Sequence, residues 1–148
     1  MIRGIAILSA IALIGLAGCK KPPSPKLLKS LKGGTTKVVV YGFCIPMDHL
    51  IKTAMTRRTL TFVVNGKKVG TMQTCSFATF RVPSGYWEAK FTGGSFFGHH
   101  LPGEIYRPGK TQYLHMYPSG NSTFTGRWVG KAEAKQGIAE IKQIGQLF

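Results

Sequence analysis

Acidic side chains are scarce. Asp48, Glu88, Glu104, Glu133 and Glu140 stand against 20 lysines and arginines, a formal charge of +15. They are scattered singly, and their spacing selects no pair of the kind a glycosidase holds about 5 to 9.5 Å apart. Cysteine is scarcer still, with only Cys19, Cys44 and Cys75. His49 lies five residues past Cys44, a weak mark of a thiol nucleophile and its base. Long apolar runs are missing too: the charge-free run Gly4 to Gly18 has fifteen residues, short of the roughly 20 that cross a membrane as a helix. The chain therefore reads as non-enzymatic, with no cofactor and no protein ligand set for a metal.

What is present begins at that run. A basic start at Arg3, an apolar middle and the small residues Ala17 and Gly18 describe a secretory signal peptide. The four residues Leu16-Ala17-Gly18-Cys19 resemble the lipobox of bacterial lipoproteins. The resemblance implies cleavage before Cys19, diacylglycerol on its sulfur and an acyl chain on the new amino group. Several acyl chains anchor stably where one binds only marginally. The expected division is residues 1–18 as signal peptide, 19–36 as lipidated cysteine and tether, and 37–148 as folded domain. Lys20 in place of aspartate implies, by the sorting rule of enteric lipoproteins, the outer membrane facing the periplasm.

Removing residues 1–18 leaves 19 basic residues against 5 acidic ones, a formal +14. Such basicity often signals nucleic acid, but an exported, anchored protein points instead to membrane, an envelope protein or an anionic cell-wall polymer. From Lys20 to Lys37 the chain carries six lysines, three prolines and no acid, the composition of an extended tether. Within it, Leu27, Leu28 and Leu31 sit at helical spacing, so KLLKSLK reads either as a short amphipathic turn or as solvated linker. Outside the cytoplasm, Cys44 and Cys75 suggest a disulfide; two buried thiols are the alternative.

Beyond the tether, short branched and aromatic runs alternate with turn residues. Strands are expected over Lys37 to Phe43, Thr59 to Val64, Lys67 to Met72, Cys75 to Val82, Tyr86 to Thr92, Thr111 to Tyr117 and Thr123 to Val129. Asn65-Gly66 between two of them is a strong hairpin signal, because a type I′ turn needs positive φ at both central residues. Phe77 and Thr79 should face one way, and Ala78 and Phe80 the other. Gly93 to Gly103 reads as a loop. Lys131 to Ile144, with Ala134, Ile138, Ile141 and Ile144 in a stripe, reads as a helix, or else as a strand pair around Gly137. These elements describe a mainly β protein, a small antiparallel β-sandwich with a short C-terminal helix.

The portion from Arg58 to Tyr117, nearly half the chain, resembles the bacterial lipoprotein family called domain of unknown function 2846. The resemblance rests on Val64-Asn65-Gly66-Lys67-Lys68-Val69-Gly70, on Phe77 to Val82 ahead of Pro83 and Gly85, and on Pro108-Gly109-Lys110-Thr111 with Tyr113. Ser84 between Pro83 and Gly85 departs from the pattern, as does Trp87. The family implies a small sandwich beyond a lipid anchor and brings no activity with it.

The candidate binding loop is the aromatic and basic stretch containing Phe96, Phe97, His99, His100, Tyr106 and Arg107, with Tyr86, Trp87 and Trp128 extending its surface. Exposed aromatics beside cations suit sugar rings or partner proteins; the competing reading is ordinary sandwich core. His99 and His100 with His115 would hold a metal only if an irregular backbone aimed both neighbours inward, since adjacent strand residues point to opposite faces.

Overall fold

A computed structural model describes residues 22–42, 59–93, 97–98, 100–120 and 123–145. The tether's KLLKSLK segment begins as helix α1 (Pro25–Ser30), which Ser24 caps by accepting from the Leu27 N–H at 3.4 Å. Leu31, just past it, is buried, while Leu28 is exposed. Strand β1 (Thr35–Gly42) then starts two residues ahead of the boundary drawn at Lys37. Its first turn is stitched into the domain: Thr36 donates its hydroxyl to the Arg107 carbonyl at 2.7 Å, and the Gly109 N–H reaches the Thr35 carbonyl at 3.0 Å.

The other strands are β2 (Thr59–Val64), β3 (Lys67–Gln73), β4 (Ser76–Pro83), β5 (Gly85–Thr92), β6 (Phe97–Gly98), β7 (His100–Tyr106), β8 (Thr111–Gly120) and β9 (Thr123–Val129), followed by helix α2 (Lys131–Gly145). They form two packed sheets, one ordered β4-β1-β8-β9-β6 and one ordered β3-β2-β5-β7. The second sheet is antiparallel throughout. The first is mixed, because β1 pairs β8 in parallel and β6 pairs β9 in parallel. A purely antiparallel arrangement is what hairpin signals suggest. The parallel pair arises because the chain leaves β1, builds strands of the other sheet, and returns to β1's free edge from the same end.

Period-two alternation fills the space between the sheets. Val38, Val40, Phe62, Phe80, Phe91 and Leu114 all point inward and are buried. The Phe62 ring lies 4.8 Å from Phe91 and 5.2 Å from Phe80, centroid to centroid. Removing each such side chain from water contributes about 1.5–3 kcal/mol. On β4, Phe77 and Thr79 face out while Ala78 and Phe80 face in. The outer face of the mixed sheet is covered by α2, whose Ala134, Ile138 and Ile141 pack on Tyr41, Tyr113 and Val129. Gly137, the residue that made a strand pair conceivable, lies within the helix. A Cβ there would come within 2.4 Å of the Tyr41 ring, so the absent side chain is what lets helix and sheet approach.

The stretch read as a loop, Gly93 to Gly103, is in part strand. β6 lies within it and β7 begins at His100. Pro102 and Gly103 disguise β7, yet both fit its place at the sheet's edge. The β5 and β7 register slips by one residue between the Trp87 and Ala89 pairings, and edge strands and bulges are where proline is tolerated. Gly103 leaves room for the Tyr86 ring, which a Cβ would strike at 2.3 Å.

Candidate binding cleft

Positive φ at Asn65 (49°) and Gly66 (72°) makes the two-residue turn that joins β2 to β3. The turn is held from the other side by the Asn65 N–H, which donates to the Glu88 carbonyl at 3.0 Å. Immediately past it, the β2 and β3 register shifts: Val63 faces Lys68 but Phe62 faces Gly70, which leaves Val69 as an extra residue. A bulge of this kind re-aims neighbouring side chains. Lys67, Lys68 and Val69, which strict alternation would send to opposite faces, all line one cleft.

The cleft's far wall comes from β4 of the other sheet, while β5 belongs with β2 and β3. Arg81 and Pro83 on β4 and Trp87 on β5 complete the lining with Val64 and Asn65, around a volume of about 450 Å³. Trp87 is fixed in place: its indole N–H donates to the Pro83 carbonyl at 2.9 Å, and its ring rests against Gly85, where a Cβ would approach to 2.6 Å. Three cations therefore converge on an aromatic wall, and among the described residues none that lines the cleft is acidic. The positive charge extends past the cleft, since Lys37 on β1 is in register with Arg81 on β4 and both are exposed. Pro83, in the cleft, is itself in register with Thr35 at the root of the tether, so the cleft opens at the end of the domain where the tether enters.

The residues singled out from the sequence fall elsewhere. Cys19, Cys44, Phe96 and His99 lie outside the described residues. Cys75 is disulfide-bonded and occupies the β3 to β4 turn with φ at 55°. Phe97 is in β6, and His100 is exposed at the start of β7. Tyr106, expected on a binding surface, is fully buried in the inter-sheet core with its ring edge-on to Trp128 at 5.6 Å. The reason is register: β7 continues to Tyr106, and its inward positions include it. Its hydroxyl has no hydrogen-bond partner among the described residues, and burial, then the nearby Glu104, raises its pKa. Arg107 is exposed and contributes its carbonyl to Thr36.

His115 lies on β8, in the other sheet from His100 on β7. It stacks on Tyr41 at 4.8 Å beneath α2, and burial, then Arg127, lowers its pKa. Among the described residues no group of three or more histidines, cysteines or acids is placed to hold a metal ion, and no helix among them is long and apolar enough to cross a membrane. Of the aromatic extensions, Trp87 is the one that lines the cationic cleft. Lys67, Lys68 and Arg81 escaped sequence reasoning because the bulge and the meeting of two sheets bring them together. Asn-Gly followed by two lysines was the only local hint. No family model, curated protein or solved structure matches the chain.

Proposed function

We propose that this chain is a bacterial lipoprotein anchored through lipid on Cys19, at the outer membrane, and that its sandwich is a non-enzymatic module binding an anionic polymer of the envelope. The lipobox at Leu16 to Cys19 supports the anchor. The observation that carries the binding is the cleft in which Lys67, Lys68 and Arg81 converge, with no acid lining it among the described residues. Its position at the tether's root supports a ligand close to the membrane surface, where the tether's own lysines add about 1 kcal/mol each near anionic lipid. A protein partner is the second reading, favoured by Phe77 on β4, which is 44% exposed with the Lys142 ammonium 5.3 Å from its ring.

Two arms test the proposal on the full chain. Mass spectrometry of the mature protein should find a lipidated amino-terminal cysteine, absent after Cys19→Ser; an unmodified terminus rules out the anchor. Retention on an immobilised polyanion should be strong for the wild type and lost when Lys67, Lys68 and Arg81 become alanine. Undiminished retention by that variant removes the cleft from the binding.

A further inference from the structure

Charge alone makes a poor reason to place a tryptophan beside three cations. An anion site needs donors and a favourable potential, and an indole whose single N–H is already engaged by the Pro83 carbonyl offers an anion no donor. What Trp87 offers is a flat apolar surface. Its orientation is set at both ends, by the hydrogen bond to Pro83 and by the packing of the ring on Gly85. A side chain immobilised before binding loses no rotamer entropy on binding. Val69 continues that apolar wall, while Lys67, Lys68 and Arg81 supply charge around it.

The combination separates two kinds of polyanion. A bare phosphate chain uses the cations and leaves the indole idle. A chain of sugar rings bearing carboxylate or phosphate groups uses both, laying the apolar face of a ring on the indole and its charged substituents on the lysines and arginine. A cleft of about 450 Å³ accommodates rings rather than a lone ion. The Lys37 and Arg81 pair adds a further argument, because like charges directly opposed across strands are destabilising on their own. A repeating anionic chain running out of the cleft and across β4 to β1 relieves that repulsion, whereas a single small anion does not reach both ends.

We infer that the cleft between β3, β4 and β5 is an acidic polysaccharide site, with Trp87 as the stacking platform for a sugar ring and Lys67, Lys68 and Arg81 as the partners of its anionic groups. The inference rests on the reading of this cleft as an anion site and adds the ring requirement to it.

The test compares polygalacturonate oligomers, which have rings and charge, with polyphosphate of equal charge, which has charge alone, on the full lipidated chain in neutral detergent. Trp87 and Trp128 are the two tryptophans, so Trp128→Phe leaves Trp87 as sole fluorescent reporter. Polygalacturonate should protect Trp87 from acrylamide quenching and polyphosphate should not. Trp87→Leu should weaken polygalacturonate binding about tenfold while leaving polyphosphate unchanged. Retained polyphosphate binding also shows that the variant is folded, and Trp87→Phe, which keeps a flat ring, should recover most of the uronate affinity. Equal binding of the two polymers with Trp87 unprotected overturns the ring requirement and leaves the anion site standing. Binding of neither polymer overturns the anion site and the inference together.

Discussion

Lys37 and Arg81 stand opposite each other in the antiparallel pairing of β1 and β4, two exposed cations on one face of the sheet. Cross-strand pairs of like charge destabilise, and pairs of opposite charge stabilise by about 0.2–1 kcal/mol. Lys37→Glu should therefore raise the melting temperature slightly while weakening retention on a polyanion. Thermal unfolding at low salt, paired with a binding assay, checks both signs; a loss of stability would argue against the register contact mattering.

Gly137 meets the Tyr41 ring where α2 crosses the mixed sheet. Alanine is the better helix former by about 1 kcal/mol, so propensity alone favours Gly137→Ala. Tyr41 is 2% exposed and stacked on His115, which leaves its ring little space to yield. Overpacking at about 1–3 kcal/mol should win, and calorimetry should show a lower melting temperature. A higher one would mean the helix slides on the sheet freely.

Hairpin and helix were legible because their signals are local. Asn65-Gly66 needs only its own backbone angles, the facing of Phe77 to Phe80 follows from the pleat, and the stripe of Ala134, Ile138 and Ile141 follows from helical period. The parallel pairing of β1 with β8 was not legible, since nothing in Lys37 to Gly42 specifies a partner beginning at Thr111. β7 hid for a different reason: Pro102 and Gly103 punctuate like a loop unless the strand is known to be an edge. The cleft was least legible of all, because Lys68 and Arg81 belong to different sheets and meet through packing around a bulge.

Tyr106 carries a hydroxyl that is buried without a hydrogen-bond partner among the described residues. An unsatisfied buried polar group costs about 1–3 kcal/mol, while the ring itself contributes to the core. Tyr106→Phe should be at least as stable as the wild type in a denaturant titration. A clear loss would reveal a bridging water or partner at the hydroxyl.

His115 has its pKa held below the ordinary 6.5 by burial, with Arg127 adding to the effect and Glu133 and Glu140 opposing it. A depressed folded pKa means the unfolded chain binds the proton more tightly, so the stability from neutral His115 is present above about pH 6.5 and is lost as pH falls through the folded value. Unfolding free energy should decline across that acidic window, and His115→Phe should flatten the decline. An unchanged slope in the variant would assign the acid sensitivity to other groups.

The central claim is that converging cations in one cleft, rather than diffuse surface charge, hold an anionic polymer. Polygalacturonate affinity, measured across ionic strengths for the wild type and for the variant with Lys67, Lys68 and Arg81 all changed to alanine, tests it most directly. The wild type should bind at low salt and weaken steeply as the Debye length shrinks from about 10 Å at 0.1 M toward 3 Å at 1 M, with the variant at background throughout. Salt-independent binding, or a variant that tracks the wild type at every ionic strength, would contradict the account.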